Sequence, residues 1–253
     1  NVGLGNNAME TNTTGDNNVA VGRYSLYSNT TADNNTAVGF ETLKDNTTGT
    51  VNTAMGRQAL QNNTTADGNT AYGHNSLNTT TTGGCNTAVG GSALFNNTST
   101  VNTAVGHNTL QANTSGNSNT AVGASALYNN TTASDNTVVG REAMYSTTTG
   151  NCNVSVGHDA GYSNTTGCQN VYIGFGAGKN ATTPSGNTFV GRLAGCNAGT
   201  GNSNTAIGIS SGVDAVKNIT GADTHQLVLG NNSTANAYIK VSLTVTSDLR
   251  DKT

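Results

Sequence analysis

The chain has 253 residues, 33% hydrophobic and 9% charged, with no Trp, one Pro, 33 Gly and 40 Asn, and its net charge is −3. That composition excludes a thick aromatic core, and a charge so close to zero with no basic patch offers nothing to a nucleic acid. No apolar run is long enough for a helical membrane span, so no membrane insertion is expected.

Low hydrophobicity would suggest disorder, but the chain keeps a strict phase. The phrase Asn-Thr-Ala-Val-Gly ends on a marker glycine at Gly5, Gly22, Gly39, Gly56, Gly73, Gly90, Gly106, Gly123, Gly140, Gly157, Gly174, Gly191 and Gly208. Of the twelve intervals, counted along the chain, eleven are 17 long and one, Gly90 to Gly106, is 16. Three residues past each marker stands a small residue (Ala8, Ser25, Thr42). The next is Leu or Met in nine copies, Met9 to Met144, and glycine in the last four, Gly161, Gly178, Gly195 and Gly212. A fixed period of this kind decides the architecture before any other feature does.

Within each copy the elements follow in order. Thr-Ala-Val is a short strand, because β-branched residues favour strands while Asn and Gly disfavour helices. Thr36 and Val38 face one side and Ala37 the other. Alanine looks too small to fill a core and is expected on a surface where another backbone comes close. The marker glycine permits a sharp turn or a close approach, and the Asn-Thr-Thr stretch makes the next corner. One copy is therefore one coil of an all-β parallel β-solenoid with two or three short sides. Thirteen coils at about 4.8 Å each give a rod roughly 60 Å long.

Stacking places each residue over its counterpart one period earlier. The asparagines four places before the markers, Asn18, Asn35, Asn52, Asn69, Asn86, Asn102, Asn119, Asn136, Asn153, Asn170, Asn187 and Asn204, are expected to form a buried structural ladder of amides. Three apolar sites per coil, each contributing on the order of 2 kcal/mol, barely offset the backbone entropy of the coil. A single chain is marginal on that reckoning, so a homo-oligomer is expected.

After Gly212 the rhythm breaks, with a stray echo at Leu227-Val228-Leu229-Gly230 and an alternating strand over 237–246. The chain thus divides into a shaft (1–212), an irregular cap with a terminal strand (213–246) and a terminal segment (247–253).

Few side chains carry chemistry. Cys85, Cys152, Cys168 and Cys196 lack metal-ligand spacing. Cys152 and Cys168 are diagonal neighbours on successive coils and are expected to be bridged or touching; Cys85 and Cys196 are expected to be free. The position after the marker is held by Arg23, Phe40, Arg57, His74, His107, Arg141, His158, Phe175 and Arg192. Such variety marks an outward site and makes these residues the candidates for receptor contact. Sequons recur at the corner, at Asn12, Asn29, Asn46, Asn63, Asn97, Asn130 and Asn164; they are either glycan acceptors or corner chemistry. Asp16, Asp33 and Asp67 share a corner position without the glycine-rich nonapeptide of calcium-binding rolls. No catalytic constellation, metal site or cofactor motif stands out.

The phrase Asn-Thr-Ala-Val-Gly-x-x-Ala-Leu resembles the head repeats of trimeric autotransporter adhesins. It resembles still more closely the arrays of phage tail-fibre proteins. The resemblance implies a parallel homotrimer of rods, found on a virion and presenting or providing contact with a host-surface glycan or protein, alongside other virion tail proteins. Ser247-Asp248-Leu249-Arg250-Asp251-Lys252 resembles the opening of the self-cleaving intramolecular chaperone of phage fibres and tailspikes. That likeness implies a maturation cleavage before Ser247 assisted by Lys252, and no working enzyme; the alternative is a charged, solvated terminus. Two other functions fit the repeats: a bacterial surface adhesin head, and an ice-binding β-solenoid carrying threonine files, although the paired Thr30-Thr31 and Thr47-Thr48 fall in a corner.

Overall fold

The computed structural model describes residues 1–213 and 218–234. Every phrase becomes a three-residue strand, from β1 (Val2–Leu4) and β2 (Val19–Val21) through to β13 (Thr205–Ile207). A further strand, β14 (Leu227–Leu229), follows. All lie in one 14-stranded sheet in chain order. Pairing is parallel and joins equivalent residues: Thr36 with Thr53, Ala37 with Ala54, Val38 with Met55. The molecule is an all-β parallel solenoid whose coils keep the step of 17 seen in the sequence.

The echo near the end of the chain is thus a fourteenth rung. Thr205, Ala206 and Ile207 pair with Leu227, Val228 and Leu229, although the step from one coil to the next is here 22 instead of 17. The one short interval is absorbed at the corner, so that Thr87 still pairs with Thr103. Ser99 fills the gap there: its hydroxyl donates to the Gly116 carbonyl, and Asn102 Nδ2 donates to Ser99 Oγ at 2.9 Å.

Outside the strands the coil is a series of turns, yet the backbone bonding between coils continues. The amide of Leu26 donates to Thr42 O at 3.0 Å and that of Leu43 to Ala59 O at 3.0 Å. The marker glycines sit where neighbouring backbones nearly touch. A Cβ on Gly39 would stand 2.6 Å from the Gly56 carbonyl oxygen, at a φ of +140° that side chains rarely adopt.

The strand alternates as expected, but its polarity is the reverse of the expectation. Ala20, Ala37, Ala54 and Ala104 are completely buried, while the flanking Thr and Val face outward and are partly or well exposed. The cause is the leucine four residues past the markers of coils 2 to 8, which fills the interior beside the strand. Leu26, Leu43 and Leu60 are fully buried in one cluster with those alanines, leaving room at the strand for a methyl group and little else.

The core changes composition along the axis. From coil 10, counting markers, the leucine position is Gly161, Gly178, Gly195 and Gly212, and large side chains enter from the strand instead. Tyr172 and Phe189 take the alanine position and are fully buried. A Cβ on Gly161 or Gly178 would lie 2.6 or 2.5 Å from the Tyr172 ring, and one on Gly195 2.6 Å from Phe189. Ile219 closes the series against Gly212.

Candidate functional site

Two files of asparagine occupy the interior, so neither is a surface site. In the first, the side-chain oxygen of each residue accepts the backbone amide of its successor: Asn18 Oδ1 accepts from Asn35 N at 2.9 Å, and Asn35 Oδ1 from Asn52 N at 2.9 Å. The side-chain amide of Asn35 donates to Gly49 O at 2.8 Å. The sequon asparagines form the second file. Asn46 Nδ2 donates to Asn29 Oδ1 at 3.0 Å and Asn63 Nδ2 to Asn46 Oδ1 at 2.7 Å, and all three are fully buried. In the folded rod these amides are engaged in the core, which excludes them as glycan acceptors there and leaves the corner role; Asn12, in the first coil, is only partly covered.

The second file has gaps that explain its orphaned atoms. Asn63 Oδ1, Asn130 Oδ1 and Asn164 Oδ1 meet no donor, and one coil further on stand Thr80, Thr147 and Ala181. None of these carries the Nδ2 that would continue the ladder. Thr80 donates the other way, to Asn97 O at 2.8 Å.

Cys152 and Cys168 are not bridged; all four cysteines are free thiols. Cys168 Sγ points along its own file and accepts the Asn151 amide at 3.3 Å. Burial pushes the Cys196 thiol up, with Lys179 opposing it. The corner aspartates are likewise occupied: Asp33 and Asp67 accept the backbone amides of Asp16 and Thr50 at 2.6 Å. Ser247 and Lys252 lie outside the described residues.

The residues after the markers point outward. Arg23, Phe40, Arg57, His74, His107, Arg141, Phe175 and Arg192 are exposed, and His158 is half-buried. His158 stacks on Phe175 with centroids 5.4 Å apart. Its Nδ1 lies 3.3 Å from the nearly buried Asp159, whose other oxygen holds Lys179 Nζ at 2.8 Å. On the coil before, Arg141 pairs with Glu142 at 2.8 Å. These partners raise both cations above their ordinary pKa, chiefly through the hydrogen bonds that Lys179 makes to Asp159 and Arg141 makes to Glu142.

Beside this cluster runs an aromatic stack that the sequence reading did not single out. Tyr128 and Tyr145 are 5.1 Å apart with an interplanar angle of 3°, and Tyr145 and Tyr162 are 5.3 Å apart at 6°. Lys179 ends the stack 5.8 Å from the Tyr162 centroid. Partial burial, helped by the flanking phenols, raises Tyr145. The signal was in the sequence, since Tyr128, Tyr145, Tyr162 and Lys179 follow one another at the coil period.

The outward face of the sheet carries a file of exposed apolar side chains. The residues just before the markers line it, including Leu4, Met55, Tyr72, Val139, Ile173 and Leu229, exposed by 37 to 67%. Comparison with known proteins returned no matching family model, no matching curated protein and no matching solved structure.

Proposed function

We propose that the chain is the shaft of a phage tail fibre, a rod whose copies associate in threes to present or provide contact with a host surface. The observation that carries this reading is the outward face of the sheet. An apolar file runs unbroken through fourteen coils of a slender solenoid, where a monomeric protein rarely exposes so long an apolar strip. In coils 2 to 9 the interior is filled by methyl groups, one leucine or methionine and one or two amides per coil, so covering the outer valines supplies burial that the single coil lacks. A second copy of the same rod matches the strip best, because it repeats at the same axial step.

Native mass measurement on the whole chain tests this: three copies are expected, and a monomer at micromolar concentration would defeat the reading. The same rod on a membrane-anchored stalk would serve a bacterial adhesin, and only flanking sequence separates the two.

Ice binding gains support from one observation. Besides the corner threonines, Thr36, Thr53, Thr70, Thr87, Thr103 and Thr120 form an outward file on the sheet, parallel to the valines. Against a regular ice-facing plane stand Met55 and Tyr72, which interrupt the neighbouring file. A thermal-hysteresis measurement decides, and its absence removes this reading.

A further inference from the structure

The rod is uneven in charge. Residues 1–100 contain three Lys or Arg and six Asp or Glu, a net of −3, whereas 136–213 contain three and two, a net of +1. The cations of the second stretch, Arg141, Lys179 and Arg192, stand on one corner, at the first and fifth places after the markers of coils 9, 11 and 12. Their counter-charges are recessed. The Arg141 and Lys179 side chains are 61 and 42% exposed, against 30% for Glu142 and 10% for Asp159. What faces solvent is therefore positive, although ion pairs lie beneath it.

The groups between the cations are those that suit a sugar. Phe175 is 48% exposed and offers an apolar patch. Tyr145 and Tyr162 stand half-exposed with their ring faces covered by one another, so their edges and hydroxyls are what a ligand would meet. Ser146, Ser163 and Asn180 follow them in the next file, all partly or wholly exposed. These groups recur at the coil step of about 4.8 Å, close to the length of one extended sugar unit.

We propose that the corner of coils 9 to 12 binds an acidic polysaccharide laid along the rod axis. Its anionic groups meet Arg141, Lys179 and Arg192, and its hydroxyls meet the tyrosine and serine files. This deepens the reading of the rod as a host-contacting shaft by naming the receptor chemistry, but its test does not depend on the number of copies in the rod.

Immobilised full-length rod is challenged with polygalacturonate, dextran sulfate, neutral dextran and duplex DNA at low and at 0.5 M salt. Retention of at least one acidic glycan is expected, weakened by salt, with dextran ignored; whichever acidic glycan is held more tightly identifies the anion as carboxylate or sulfate. Reversing all three cations (Arg141→Glu, Lys179→Glu, Arg192→Glu) should cut affinity at least tenfold. A control reversal of Arg23 and Arg57, at the same corner of the other half, should change it less than twofold. Circular dichroism confirms that both variants keep the fold, and the single Arg192→Glu change, which breaks no ion pair within the patch, gives an independent loss of a few-fold. The proposal is overturned if neither acidic glycan is retained, if DNA is retained as tightly as the better glycan, or if both reversals weaken binding equally. A rod that proves monomeric yet binds polygalacturonate through this corner would sink the fibre reading and leave this one standing.

Discussion

The two halves of the solenoid solve one packing problem in opposite ways. In coils 2 to 9 the strand gives an alanine or valine and the turn a Leu or Met, which holds a left-handed backbone: φ is 47° at Leu26, 50° at Leu43 and 48° at Met144. That conformation costs roughly 1–2 kcal/mol for a residue with a side chain, and the burial of the leucine must outweigh it in every coil. In coils 10 to 13 the turn residue is glycine, at φ 61°, 60°, 56° and 72°, which takes the same bend freely. The bulk is returned from the strand by Tyr172 and Phe189, and from beyond the last turn by Ile219. The backbone path is common to both halves; what differs is which wall carries the volume and whether the turn is strained.

The comparison can be broken at its largest element. Tyr172→Ala would empty the space that Gly161 and Gly178 leave, and should cost about 3–5 kcal/mol in urea unfolding, as large-to-small core changes do. Adding Gly161→Leu and Gly178→Leu to that variant converts the region to the other scheme and should recover more than half the loss; no recovery would show that the schemes are not interchangeable. Gly178→Ala alone should cost about 1–3 kcal/mol, because its methyl would meet the Tyr172 ring at 2.5 Å and sit at positive φ. A neutral result there would mean the ring has space to move.

Smaller effects sharpen the picture. Thr80→Asn and Thr147→Asn restore the missing rungs beyond Asn63 and Asn130, and each should add about 1 kcal/mol; a loss of stability would mean the corner has no room for the amide. The Tyr172 hydroxyl lies toward Asn187, which favours ionisation slightly, but it reaches no hydrogen-bond partner, and burial raises the phenol well above its usual range. Tyr172→Phe should therefore be neutral or slightly stabilising. Because the folded pKa is raised, the contribution of this phenol is fully present below the free value of 10.0 and fades as pH climbs above it. Alkaline unfolding followed by tyrosine absorbance should begin earlier in the wild type than in Tyr172→Phe.

Period, parallel pairing and register were legible in the sequence because stacking writes the same letter once in every coil. The inward side of the strand was not. Alternation separates Ala37 from Thr36 and Val38, but which side is inside depends on how far Leu43 reaches, and that is a property of the whole coil. The four late glycines were visible as a change of pattern. Their partner Tyr172 stands eleven residues beyond Gly161, on a different element, so no local motif joins them. The echo at β14 was visible, but its longer connection hid that it forms a further rung, and the tyrosine stack was obscured by its spread over three copies.

One feature of the asparagine files gives the rod a sense of direction. Every Oδ1 in the first file accepts from the following coil, from Asn1, which accepts from Asn18, to Asn204, which accepts from Gln226 at 2.9 Å. Each coil of that file thus turns a backbone donor to the coil before it and a side-chain acceptor to the coil after it. Coils can be joined head to tail without a mismatch, whereas two like faces brought together would confront acceptor with acceptor or donor with donor, so the column can be lengthened but not mirrored.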